Sequence, residues 1–138
     1  RDQFHRMQAV HLEAPFFLTQ ALLDALAPEA CVVFLADILA DRCPPGYAHY
    51  MVSKAGLVAL TKGLAVEIAP HRVNAIAPGT VAFPPDMDEK TRASILSKIP
   101  MGREGLPEDI ARAVVFLARS PFVSGQVIAV DGGRDAVH

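Results

Sequence analysis

The stretch Cys31-Val32-Val33-Phe34-Leu35-Ala36-Asp37 decides the fold. Its apolar run is short and unbroken, preceded by Ala27-Pro28-Glu29 and closed by Asp37. Such a run suits a strand covered on both faces, as in a parallel sheet. Upstream, Phe4, Met7, Val10, Phe17, Leu22 and Leu26 belong to an apolar set at helical spacing. They predict a helix over residues 3–26, bent or split at Pro15. Downstream, residues 37–46 read as a loop broken by Pro44-Pro45-Gly46, and residues 47–69 as a long helix stopped by Pro70. Residues 71–77 read as a second strand ended by Pro78-Gly79, residues 80–87 as a loop and residues 88–97 as a short helix. Pro107-Glu108-Asp109 opens a helix to about residue 119, with proline in the first turn and acids at the positive helix end. Residues 126–130 read as a third strand, left through Asp131-Gly132-Gly133. Strands separated by helices imply right-handed crossovers, an α/β class and a parallel sheet.

The bulk numbers narrow the partners. The chain has 138 residues, 51% of them apolar, and a formal net charge of −2. That predicts one folded domain over residues 1–138, not disorder. The small negative charge argues against a nucleic-acid or anionic-membrane surface, and no apolar run reaches the length of a membrane span. Cys31 and Cys43 form no disulfide framework and read as reduced thiols of a cytoplasmic protein. No residues are assigned to a metal. Arg1 is not an initiator methionine, no signal peptide is visible, and the first residues already read as helix. A three-stranded sheet would also leave one hydrophobic edge bare. Both features lead to the expectation that an N-terminal half is missing.

Tyr50 and Lys54 stand four residues apart in the long helix, which brings them to one face. A tyrosine is a poor acid at neutral pH, with a reference pKa near 10. A cation about 6 Å away, at an effective dielectric of about 20, favours tyrosinate by roughly 3 kcal/mol. Lys54 is therefore expected to lower the Tyr50 pKa by about two units, towards a useful proton-transfer range. Its remaining N–H groups would hold a ribose hydroxyl. On spacing alone the pair reads first as amphipathic packing beside a solvated cation, a pattern common by chance on helices.

The surrounding motifs raise the chemical reading. Tyr50-Met-Val-Ser-Lys54-Ala-Gly-Leu, Arg72-Val-Asn-Ala-Ile-Ala-Pro-Gly79, Pro107-Glu-Asp-Ile and Ser124-Gly-Gln-Val-Ile-Ala-Val-Asp-Gly-Gly133 occur in one order and spacing. In these the chain resembles the short-chain dehydrogenase/reductase family, over the C-terminal half of a typical member. The resemblance implies a Rossmann-type doubly wound sheet with helices on both faces, and a dinucleotide at the carboxyl ends of the strands. It implies Tyr50 as proton donor to the reduced bond, with Lys54 tuning it and holding the nicotinamide ribose. Pro78, Gly79, Thr80 and Val81 would line the nicotinamide, the last two through their backbone. The family's Thr-Gly-x-x-x-Gly-x-Gly phosphate loop is absent from this chain. Residues 87–99 correspond to the family's mobile substrate lid.

Two positions depart from the pattern. Where the family carries a catalytic serine, thirteen residues before Tyr50, this chain has Asp37. Asp37, together with Pro45-Gly46-Tyr47-Ala-His-Tyr50, is similar to the pteridine reductase branch. That resemblance implies NADPH-dependent reduction of a pterin ring C=N, with Asp37 accepting hydrogen bonds from ring N–H groups or feeding a proton to Tyr50. A decayed site is the bland alternative. His11 stands where the family often has an asparagine whose backbone holds a proton-relaying water. It is either a tolerated replacement or a titrating member of the relay. Pro44 and Phe83 are candidate apolar walls of the substrate pocket, or ordinary loop packing. His5, His49 and His138 carry no pattern, and His71 simply precedes a strand.

Three functions stay open. One is the pterin reductase, acting on a small molecule. Another is a carbonyl/hydroxyl oxidoreductase of the same family, with Asp37 incidental. The last is a non-catalytic assembly module. The resemblance also implies a homo-oligomer, dimer or tetramer, formed through helices 3–26 and 50–69.

Overall fold

The computed structural model describes residues 1–41 and 44–137, Asp41 by its backbone alone. The assignments made for Cys43 and His138 lie outside the described residues. Three parallel strands, β1 (Cys31–Leu35), β2 (Arg72–Pro78) and β3 (Val127–Val130), lie in the order β1-β2-β3. Leu35 is opposite Ile76, and Pro78 is opposite Val130. All three strands therefore end on the same edge.

The helices are α1 (Asp2–Gln8), α2 (Ala14–Leu22), α3 (Ala48–Glu67), α4 (Glu89–Leu96) and α5 (Pro107–Arg119). The expected 3–26 helix is not split at Pro15. A π-helical turn, Ala9–Glu13, joins α1 to α2. Proline has no N–H, and its ring crowds the carbonyl four residues back, here that of His11. The wider turn makes room for it without ending the run. The loop after β1 holds a 3₁₀ turn, Ile38–Asp41.

Strand β2 is central and buried over its first six residues. Its residues alternate between faces. Val73, Ala75 and Ala77 join Phe34, Leu57 and Leu64 in the core beneath α3. On the other face Arg72 reaches the end of α5. Its guanidinium donates to the Leu117 carbonyl at 2.7 Å and the Ala118 carbonyl at 2.9 Å. Both carbonyls lie in the last turn, where the Leu117 carbonyl has only a long bond from the Ser120 N–H at 3.3 Å, so a buried cation serves them and the negative helix end together. Asn74 is fully buried and donates to the Val123 carbonyl at 2.9 Å while accepting from Gln126 N–H at 3.0 Å. It pins the loop that leads into β3.

The free edge of β1 is apolar, as expected. A cleft of about 390 Å³ runs between α2 and β1, lined by Pro15, Leu18, Leu22, Val32 and Phe34 among others. Among the described residues no helix is long and apolar enough to cross a membrane.

Candidate active site

The carboxyl edge of the sheet gathers the residues singled out in the sequence. Asp37 follows β1 directly, and the start of α3 carries Tyr50 past it. The Tyr50 hydroxyl donates to Asp37 Oδ2 at 2.7 Å. The other carboxylate oxygen, Oδ1, accepts from Leu39 N–H at 2.8 Å, which fixes the carboxylate plane. Lys54 is 9% exposed, and its Nζ lies 5.7 Å from the centre of the Tyr50 ring. It donates to the Leu35 carbonyl at 2.8 Å, so its ammonium has donors left for a ligand.

The Tyr50 pKa moves against expectation. Burial and the hydrogen bond to Asp37 hold the phenol well above its usual range. Counting the Lys54 charge alone missed both effects, each of which penalises tyrosinate. Burial draws the Lys54 ammonium below its usual value, and Asp37 opposes that.

His11 reaches the same centre from the π-helical turn. Its ring meets Tyr50 edge-on, 5.4 Å between centroids. Its Nδ1 lies 3.1 Å from Ser53 Oγ, and the Ser53 hydroxyl donates to the Tyr50 carbonyl at 2.6 Å. With the serine proton so engaged, Nδ1–H must be the donor to Ser53. Burial, and then the Lys54 charge, hold the imidazole below its ordinary pKa. Ser53 and the Leu35 carbonyl were not anticipated. Ser53 was within reach of sequence reasoning, three residues after Tyr50 on the helix, whereas a backbone acceptor leaves no trace in residue identity.

Pro78, Gly79, Thr80 and Val81 leave β2 on this edge. A Cβ on Gly79 would stand 2.7 Å from Asp131 Cβ and 2.8 Å from its Cα. The glycine thus serves packing of the two loops, whatever it offers a ligand. The Thr80 carbonyl accepts from Gly105 N–H at 2.9 Å and its hydroxyl accepts from Arg134. Backbone contact with a nicotinamide would therefore fall to the Thr80 N–H and to Val81. Phe83 is partly buried, with its N–H on Glu104 Oε2 at 2.8 Å. Pro44 lies just before α3, its carbonyl accepting from Tyr47 N–H at 3.2 Å. Cys31 is a free, partly buried thiol, and among the described residues no His, Cys, Asp and Glu cluster could hold a metal. His71 directly precedes β2, with a buried Nδ1 that has no hydrogen-bond partner.

A family model described as enoyl-(acyl carrier protein) reductase matches residues 1–135. The chain is 36% identical over 140 residues to the 3-oxoacyl-[acyl-carrier-protein] reductase FabG of Rickettsia felis, covering 96% of this chain and 58% of that protein. It is 39% identical over 132 residues to the FabG of Thermotoga maritima, covering 90% and 54%. Among solved structures, FolM alternative dihydrofolate reductase 1 from Brucella canis, complexed with NADP, superposes with a TM-score of 0.88 at 31% identity. That match covers 98% of this chain and 55% of the other. The chain thus spans a little over half the length of these relatives. It belongs to the short-chain dehydrogenase/reductase family, whose C-terminal region it matches.

Proposed function

We propose that the intact protein is an NADPH-dependent oxidoreductase interconverting a ketone and an alcohol, with Tyr50 as the proton donor. The observation that carries this is the Tyr50 hydroxyl held on the carboxyl edge by Asp37, beside the buried Lys54. The 3-oxoacyl reductases among the relatives support a carbonyl substrate, and the NADP complex of FolM supports the choice of dinucleotide. The edge fits such a group, since Lys54 keeps N–H donors free for ribose hydroxyls. When bound, the dinucleotide supplies the hydride. Tyr50 then gives its proton to the oxygen of the reduced carbonyl. A phenol with a raised pKa is a weak acid, yet a developing alkoxide is basic enough to take its proton.

Asp37 favours a second reading, reduction of a pterin ring C=N. A carboxylate accepts hydrogen bonds and repels a ketone oxygen, whereas a pterin offers N–H donors. The likeness to FolM supports this reading as well. NADPH oxidation by the intact protein, with a 3-oxoacyl thioester in one arm and dihydrobiopterin or dihydrofolate in the other, separates the two. For the ketone reading, Asp37→Ser keeps or raises thioester turnover. For the pterin reading, the same change lowers pterin turnover by about tenfold or more, roughly the loss of a charge-assisted hydrogen bond. Absence of both activities in the intact protein leaves the assembly module.

We further propose a homo-oligomer built on the helical segments over residues 3–26 and 50–69. Phe17 and Leu18 of α2 and Val52 and Val66 of α3 are exposed there. Light scattering giving a monomer would overturn it.

A further inference from the structure

We infer that Glu104 is a positioning residue that fixes the lid helix α4 and the Phe83 wall as one unit. The inference rests on the reductase reading for its role in substrate capture. The loop after β2 and the helix α4 leave the sheet from the edge that holds Asp37. Helix α4 has no fully buried residue, and its apolar anchors, the partly buried Ile95 and Leu96 and the buried Ile99 just beyond it, all lie at its carboxyl end. Nearer its amino end, Arg92 supplies a polar hold. One Arg92 N–H donates to Glu104 Oε1 at 2.7 Å, and the guanidinium lies over the Phe83 ring, 5.1 Å from its centre. Glu104 Oε2 takes the Phe83 N–H at 2.8 Å. A single carboxylate thus bridges the lid helix and the loop, and the arginine closes the ring through the aromatic face.

Glu104 itself is anchored independently of the lid. Its neighbour Gly105 donates to the Thr80 carbonyl at 2.9 Å and accepts from Ala82 N–H at 3.2 Å. The Glu104 side chain is 22% exposed, so the pair is only partly screened by solvent. Breaking the clamp leaves the loop backbone in place and loosens the amino-terminal part of the helix. Capture of substrate should suffer, and proton transfer at Tyr50 should not.

The test uses the intact protein with Glu104→Gln, Glu104→Ala and Arg92→Met. Protease cleavage within residues 84–98 is expected to rise about three- to tenfold, the scale of one partly exposed charge-assisted contact. The KM should rise by a similar factor for whichever of dihydrobiopterin or a 3-oxoacyl thioester the wild type reduces, with kcat and NADPH affinity unchanged. Glu104→Gln keeps an acceptor for Phe83 and should fall between wild type and Glu104→Ala. The Glu104→Ala, Arg92→Met double variant should fall short of the sum of the two single effects, since both remove the same Arg92–Glu104 contact. Faster cleavage with unchanged KM overturns the positioning role, as does a parallel loss of NADPH affinity. Unchanged cleavage overturns the clamp itself. If the wild type reduces neither substrate, the reductase reading fails, while the cleavage assay still decides the clamp.

Discussion

At the amino-terminal end of the sheet, Arg72 and Asn74 are consumed by the chain itself, while the buried His71 Nδ1 is the exception without a partner. Arg72 gives its guanidinium to the carbonyls that end α5, and both ends of the Asn74 amide are taken by the loop before β3. At the carboxyl end the polar groups are held but not exhausted. Tyr50 leans on Asp37, Lys54 spends one N–H on Leu35, and His11 touches the Tyr50 ring without a hydrogen bond to it. Both ends lie within recognisable sequence motifs. The difference is that one set is closed by internal partners, and the other keeps capacity for something from outside. A buried polar residue reads as structural when its hydrogen bonds close within the fold, and as chemical when they do not.

The contrast predicts opposite signatures on mutation, and the carboxyl end should give the larger effect. Tyr50→Phe removes one oxygen and leaves the ring against His11. In the intact protein it should lower kcat by about 10²- to 10⁴-fold, the usual worth of a general acid, with little change in the thermal midpoint. Steady-state NADPH oxidation and a melting curve check both halves. A variant retaining full rate would remove Tyr50 from the reaction.

Asn74→Ala should do the reverse. It removes the amide partner of the part-buried Gln126 N–H and leaves the Val123 carbonyl only its long 3.5 Å contact with Arg72, at about 1–2 kcal/mol for the two together. Denaturant unfolding should show that loss, while kcat per folded molecule stays at the wild-type value. A kcat deficit without a stability deficit would break the division between the two ends.

Parts of this division were legible in the sequence and parts were not. The strands were, because short runs next to proline and glycine, apolar but for Arg72 and Asn74 in β2, leave little alternative. Tyr50 and Lys54 were, because helical spacing alone puts them on one face. The roles of Arg72 and Asn74 were not, since their partners lie some 45 to 52 residues away and are mostly backbone carbonyls. The direction of the Tyr50 shift was also missed. It depends on burial and on the orientation of Asp37, which only tertiary packing decides. The turn at residues 9–13 escaped because helical periodicity hardly distinguishes a π turn from an α turn.

The smallest effect should come from His11, which sits on the boundary between the two kinds of residue. Its imidazole is held below the ordinary value of 6.5 by burial and then by Lys54. In the unfolded chain it takes a proton near that ordinary value, and in the folded chain it resists. Between the two pKa values the unfolded state binds more protons, so stability falls as the pH drops below about 6.5. Above that pH the imidazole is neutral in both states and adds no slope. Urea midpoints measured at about pH 7.5 and about pH 5.5 should differ slightly more for wild type than for His11→Gln, which cannot titrate. The gap is small because the ring is only partly buried. If His11→Gln leaves the acid slope unchanged, the imidazole is ordinary packing against Tyr50. If the same variant also shifts the acid limb of kcat, His11 belongs with the open set at the carboxyl end, coupled to Tyr50 through Ser53 and the ring contact.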